Sequence, residues 1–232
     1  MSEQTSQQTS QQTTVHLMRH GEVHNPGGVL YGRMPGFLLS DRGLAMADRI
    51  GAEIGDRDIT HVRISPLERT RQTAAPLLAR RGLEAVVDER VIESWSKFEG
   101  RSFGKGARAL LHPATWPALV NPFRPSWGEP YADIAARMWS AVQDARDEAR
   151  GHEAVIVSHQ LPIWTVRLFA EGRSYLHDPR KRRCTLCSLT SFRFDGDTLA
   201  QVAYSEPVGD MIPAGDKAAP FSAGGAPEER RP

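Results

Sequence analysis

At 232 residues, with 40% hydrophobic and 25% charged residues, the chain has the make-up of an ordinary globular protein with one sizeable domain, neither fibrous nor wholly disordered. A formal net charge of +1 gives no global pull toward nucleic acid or an anionic membrane. The two cysteines, Cys184 and Cys187, exclude a disulfide framework, and no run is long and apolar enough to span a bilayer.

In chain order, residues 1–13 are nearly all Ser, Thr and Gln. With no basic or apolar region they are not a signal peptide; they read as a disordered leader, with cytoplasmic residence as the default. Residues 15–18 read as a strand that runs straight into Arg19-His20-Gly21. A glycine-rich loop follows, from Asn25 to Arg33. Ser40 is a candidate N-cap for a helix with Leu44, Ala47, Ile50 and Ile54 on one face. A second strand is expected over 61–64. Ser65-Pro66-Leu67-Glu68 has the form of a capping box with proline at the first helical position. It opens a helix to about Arg80, with Ala74, Leu77 and Leu78 inward, and 84–87 make a third strand.

This alternation implies an α/β fold: a mostly parallel central sheet covered by helices on both faces, a three-layer sandwich. Residues 100–130 break the rhythm; the stretch holds Trp116, Phe123 and Trp127 and reads either as a lid over a site or as a surface excursion. A helix follows from Tyr131 to about Arg150, with Ile134, Met138, Ala141, Val142 and Ala145 on one face. The apolar run 154–157 is expected to be a central buried strand ending in Ser158-His159, with a helix over 161–170. Residues 185–194 and 198–205 flank Asp195-Gly196 as a hairpin. The stretch 207–232, rich in Pro, Ala and Gly, reads as a flexible tail, leaving 14–206 as one folded domain.

Four residues stand at comparable places on this scaffold. Arg19 and His20 end one strand, His159 ends another, and Arg69 lies in the first turn of the helix after the second strand. In open α/β sheets that edge is where ligands bind, and a helix N-terminus there adds N–H donors and a positive dipole end. Two arginines and two histidines on one rim make a pocket for a phosphoryl group: arginine forks match phosphate oxygens, and an unprotonated imidazole can attack phosphorus. Competing readings exist elsewhere. His16, His20 and His24 have the spacing of metal ligands on a helix, but they fall on a strand and across a glycine. The C-x-x-C pair reads as structural, for want of a second pair. The basic run Arg180-Lys181-Arg182-Arg183 reads as a solvated face, with an anionic partner as the alternative.

With these motifs in view the chain resembles the histidine phosphatase superfamily, the phosphoglycerate-mutase-like group, over essentially the whole folded part. Leu17-Met18-Arg19-His20-Gly21-Glu22 matches the opening motif, whose histidine becomes phosphorylated. Ser65-Pro66-Leu67-Glu68-Arg69-Thr70 matches the second motif, with Arg69 at the phosphoryl-binding arginine. Val155-Ile156-Val157-Ser158-His159 matches the late motif carrying the second pocket histidine. The general acid of the family, a glutamate before a Glu-Gly stretch, falls on Glu93, with Glu99 as the structural Glu of Glu99-Gly100.

The resemblance implies that His20 attacks a small phosphate monoester while Glu93 protonates the leaving oxygen. Water then hydrolyses the phosphohistidine, and Arg19, Arg69 and His159 hold the phosphoryl oxygens. It implies no cofactor and no metal. Ser94-Trp95-Ser96 follow Glu93 where the glycolytic mutase branch carries an Arg and a Tyr that hold phosphoglycerate, so the phosphatase branch is favoured. A mutase and a catalytically silent phospho-ligand module are the alternatives. Asn25 is matched to the family's phosphate-contacting asparagine with its register shifted by one. Arg33 is either a contact for a second substrate anion or a solvated loop residue. Gln160, where a small residue is common, reaches the substrate with its side chain or acts only through its backbone N–H. Nothing in the sequence sets an oligomeric state.

Overall fold

The computed structural model describes residues 12–101, 128–178 and 181–212. Six strands form one mixed sheet in the order β3-β2-β4-β1-β5-β6. They are β1 (Gln12–Arg19), β2 (Ile59–Ile64), β3 (Val86–Val87), β4 (Glu153–Ser158), β5 (Leu189–Asp195) and β6 (Thr198–Ser205). The four strands β3, β2, β4 and β1 are parallel, whereas β5 runs antiparallel to β1 and β6 antiparallel to β5. β4 is the buried central strand expected from its unbroken apolar run. Its period of two sends Ala154 and Ile156 to one core and Val155 and Val157 to the other, so both faces must be covered.

Four helices do the covering. On one face lie α1 (Asp41–Gly55) and α2 (Glu68–Arg81), which supply Met46, Ile50, Ala74 and Leu77; on the other lie α3 (Tyr131–Glu148) and α4 (Gln160–Ala170), which supply Ile134, Met138, Val142, Ile163 and Val166. Ser40 caps α1 as expected, its hydroxyl accepting from the Gly43 N–H. Leu44 does not join the core. It sits exposed at one edge of the α1 stripe, and Met46 is fully buried at the other. The α2 start also differs. Ser65, just past the end of β2, is still held to the sheet by the bond from its N–H to Val157 O, so the cap falls on Leu67 and no capping box forms. Glu68 instead accepts from the Gly36 N–H, and the Ser65 hydroxyl is left for another partner.

Two boundaries move outward because side chains there find burial. β1 takes in Gln12 and Thr13, and Thr13 is buried. Val208 and Ile212, within the Pro/Ala/Gly-rich tail, are buried in the core under α1 and α2. The hairpin turn is Gly196-Asp197, one residue later than expected, with Gly196 at φ 62°. The stretch read as a lid lies, from 102 to 127, outside the described residues. No helix among the described residues is long and apolar enough to cross a membrane.

Backbone contact between the loop after β1 and the start of α1 fixes the pocket edge. A Cβ on Gly43 would stand 2.0 Å from Glu22 O, and one on Gly21 would stand 2.8 Å from Gly43 O. Gly43→Ala, which in an open helix would add about 1 kcal/mol of stability, is therefore expected to cost about 1–3 kcal/mol. Urea unfolding reads this directly; unchanged stability would show that the two backbones need not touch.

Candidate active site

The sheet itself assembles the site. In the β1–β4 pairing Arg19 lies opposite Ser158, and in the β2–β4 pairing Ile64 lies opposite Val157. The next residues, His20, His159 and Ser65, thus emerge side by side at the C-terminal edge. His20 N–H bonds to Ser158 O at 3.1 Å and Ser65 N–H to Val157 O at 3.0 Å. From β1 the chain leaves to α1 on one face and from β4 to α4 on the other, so the edge between them is the switch point where ligands bind in such sheets.

The two histidine rings lie 5.2 Å apart, centroid to centroid, and both are buried. His20 Nδ1 stands 2.7 Å from Gly21 O. A carbonyl only accepts, so Nδ1 carries the proton and Nε2 keeps its lone pair. His159 Nε2 lies 2.8 Å from the Ser65 hydroxyl, which also accepts weakly from the Leu67 N–H. When the Ser65 hydroxyl donates to Nε2, the proton of His159 sits on Nδ1, a buried atom with no hydrogen-bond partner among the described residues. Burial holds both imidazoles well below the usual histidine pKa, and the charges of Arg69 and Arg19 add to the effect. In that tautomer one ring offers a lone pair and the other a proton. That is a nucleophile beside a donor.

Arg69, in the first turn of α2, is fully buried. One of its terminal nitrogens donates to Gly32 O at 2.7 Å, and its guanidinium lies 4.8 Å from the centroid of the Tyr31 ring. Its Nε and other terminal nitrogen are buried without a hydrogen-bond partner among the described residues. A desolvated cation with idle donors is costly unless an anion completes it. Arg19 is buried beside it and donates to Cys184 O at 2.8 Å. The Tyr31 hydroxyl is pushed up to about 12 by burial, so it stays a neutral wall.

Glu93 is partly buried at the same pocket, and burial raises its pKa against the pull of the Ser94 N–H and of Arg69, Arg19 and Arg137. Its Oε1 accepts from the Ser94 N–H at 2.7 Å, fixing the carboxyl. The segment that carries it is clamped from far away in sequence. Arg33 Nε donates to Glu93 O at 2.6 Å, Arg137 to Arg90 O and Ile92 O at 2.6 and 2.8 Å, and the Ser158 hydroxyl to Val91 O at 2.7 Å. Glu129 accepts from both Arg33 and Arg137 and ties the clamp together. Glu99 has a different place: it accepts from the Ser96 N–H and packs where a Gly32 side chain would be.

Arg19, His20, Arg69, Glu93 and His159 are thus brought together. The three remaining candidates divide. Arg33 is held in the Glu93 clamp, so it is not a solvated loop residue. Gln160 opens α4 and shares Cys184 O with Arg19, at 3.5 Å. Asn25 spends its amide on Val29, donating to its carbonyl and accepting from its N–H, which closes the loop. Glu22, of the opening motif, accepts from the Ser40 hydroxyl and from Arg42 and anchors the start of α1. Sequence reasoning passed over Ser65 as a histidine partner, as well as Arg137 and Glu129, because their roles exist only across the fold.

His16 bonds to Ser191 and Glu153 within the sheet, while His24 is exposed, so the three spaced histidines do not converge. No group of three or more His, Cys, Asp or Glu among the described residues is placed to hold a metal ion. Cys184 and Cys187 are free and buried, and burial pushes their thiols up to about 11 and 12.

An open α/β sheet with two neutral histidines and two buried arginines at its switch point defines a phosphoryl-handling class of protein. The profile of the histidine phosphatase superfamily (branch 1) matches residues 15–207, and the chain belongs to that family. An uncharacterized protein of Mycobacterium tuberculosis, Rv0525, is 55% identical over 193 residues, covering 83% of this chain and 96% of that one. Among solved structures, Bacillus stearothermophilus YhfR superposes with a TM-score of 0.72 at 24% identity, over 86% of this chain and all (100%) of the other. A mycobacterial glucosyl-3-phosphoglycerate phosphatase, Rv2419c, gives a TM-score of 0.65 at 21% identity, over 84% of this chain and 96% of that one.

Proposed function

We propose that the chain is a phosphomonoester hydrolase that works through a phosphohistidine on His20, acting on a small phosphorylated metabolite. The observation that carries this reading is the set of idle donors around the bare Nε2 of His20: two nitrogens of Arg69 and Nδ1 of His159. They suit the equatorial oxygens of a phosphoryl group in transfer. Family membership supports the class, and the solved neighbour described as a phosphatase supports the branch.

In the first step His20 Nε2 bonds to phosphorus, the ester P–O bond breaks, and the Glu93 carboxylic acid gives its proton to the leaving oxygen. In the second, water bonds to phosphorus, the Glu93 carboxylate takes its proton, and the P–N bond breaks to give phosphate. Both steps need a carboxyl whose pKa is raised, as burial does here. The cationic field comes from Arg19, Arg69 and the α2 N-terminus, so the same rate is expected in EDTA. Ser94 and Ser96, in place of the mutase branch's Arg and Tyr, favour release of phosphate over its return to phosphoglycerate.

The test is phosphate release from alkyl and aryl phosphates, wild type beside Glu93→Gln. The wild-type rate should fall at low pH as His20 gains a proton, which its depressed pKa delays to well below 6.5. It should fall again at high pH as Glu93, its pKa raised, loses the proton it donates. Glu93→Gln is expected to slow alkyl esters by about 10²–10⁴-fold, aryl esters far less, and to erase the alkaline limb. Equal losses on both ester types would remove Glu93 from the acid role. No release from any ester would overturn the hydrolase.

A further inference from the structure

The basic run 180–183 does not stay together. Lys181 and Arg183 are exposed, and Arg183 lies over the Tyr204 ring at 4.9 Å. Arg182 turns inward and is partly buried. Its Nε donates to His177 Nε2 at 2.8 Å, and His177 Nδ1 stands 2.7 Å from Tyr175 O. That carbonyl puts the imidazole proton on Nδ1, so His177 is a neutral acceptor that orients Arg182 without cancelling its charge. Burial lowers the His177 pKa; Arg182 and Arg173 push the same way, and Asp178 opposes them. The ring is held between Trp164 and Tyr131, at centroid distances of 5.8 and 6.1 Å.

This cluster adjoins the phosphoryl pocket. Arg182 precedes by two residues Cys184, whose carbonyl holds both Arg19 and Gln160, so their Cα atoms are within about 7 Å. Tyr131 follows by two residues Glu129, which ties the Glu93 clamp. Burial lowers the Arg182 pKa and the charge of Arg19 adds to it, against the pull of Tyr131 and Glu93. Yet among the described residues neither terminal nitrogen of Arg182 makes a hydrogen bond or an ion pair. A guanidinium fixed through Nε, with both terminal nitrogens to spare, is a fork for an anion.

We infer that Arg182, oriented by His177, forms a second anion subsite beside the phosphoryl pocket, selecting phosphate esters that carry another anionic group, a carboxylate or a second phosphate. The inference rests on the phosphomonoesterase reading of the pocket and adds the substrate class. Gln160, whose amide donates to the same Cys184 carbonyl as Arg19, lies at the edge of that pocket.

The test compares three-carbon ligands that share a primary phosphate ester and differ in the charge of the far group. These are 3-phosphoglycerate, the bisphosphate of 1,3-propanediol and glycerol 3-phosphate, whose far group is neutral. Binding is measured by calorimetry and turnover by phosphate release, on wild type, Arg182→Gln and Arg182→Lys. Wild type should bind at least one of the two ligands with an anionic far group about tenfold more tightly than glycerol 3-phosphate. Arg182→Gln should erase that preference, leave glycerol 3-phosphate and aryl phosphates unchanged, and be partly rescued by Arg182→Lys. Which of the two tails is preferred separates carboxylate from phosphate. No preference in wild type, or equal losses on all ligands in Arg182→Gln, overturns the subsite. Should binding show the preference while no ester is hydrolysed, the subsite stands and the hydrolase reading fails. His177→Phe, which keeps the aromatic packing and removes the acceptor, should weaken the preference without moving the aryl phosphate rate.

Discussion

His20→Ala is expected to lower phosphate release by at least about 10³-fold on every ester, since it removes the atom that would bond to phosphorus. The loss should not come from misfolding. The His20 N–H bond to Ser158 O is backbone and survives, and the flanking strand is fixed by its pairing with β4 and β5. The side chain also brings a cost to the free protein: it is buried among Arg69 and Arg19, and its pKa is depressed accordingly. Stability should therefore change little, and less at acid pH, where an unfolded histidine gains a proton that the folded one resists. The decisive readout is trapping. Wild type quenched during turnover should carry one phosphoryl group, stable in alkali and lost in acid; His20→Ala should carry none. His159→Ala should still be labelled, more slowly, because that ring donates and does not attack. Labelling of His20→Ala would transfer the nucleophile to another residue. The two histidines are alike in burial and differ only in what their second nitrogens meet, so this pair of variants separates their roles.

How much of this was legible beforehand follows from the range of the interactions. β1 and β4 each announce themselves within a few residues, an apolar run ending in Arg19-His20-Gly21 or Ser158-His159. A parallel sheet then places those ends side by side without further information. Arg69 was legible for the same reason, one turn of helix after a strand. Ser65 was misread because a capping box and a strand end look identical in sequence; the bond from its N–H to Val157 O decides for the strand and frees the hydroxyl for His159. The Glu93 clamp was invisible: Arg33 lies 60 residues from the carbonyl it holds, and Arg137 lies 45 residues from Ile92. The motif matches Asn25 to a phosphate ligand, but a side chain that opens a glycine-rich loop can serve the loop, and its amide does. Composition also misled at the C-terminal end, where Val208 and Ile212 bury themselves amid residues that read as a tail.

Arg69→Met should separate function from stability. Methionine keeps the length and apolar stem and removes the charge. In the free protein the guanidinium is fully buried, with one hydrogen bond to Gly32 O, one aromatic contact, and two donors unmet. The bond and the ring contact together are worth about 2–4 kcal/mol. Against them stands the desolvation of a whole cation, several kcal/mol even after relaxation. Burial dominates the lowered pKa of Arg69 over the opposing pull of Tyr31, Glu93 and Glu68, which points the same way. The free variant is thus expected to melt no lower than wild type. Ligand should reverse the order. Vanadate or phosphate at a hundred times its Kd adds about 2.7 kcal/mol to wild type, about 5–10 °C in a domain of this size. The variant should gain almost none of it and lose about 10²–10³-fold in kcat/KM. Melting curves with and without vanadate, beside the kinetics, read both effects. A variant that melts lower yet keeps its response to vanadate would make Arg69 a structural ion and leave the phosphoryl group to Arg19 and His159. A variant that melts no lower and has lost that response would show that the wild-type protein carries this charge at a cost until substrate arrives.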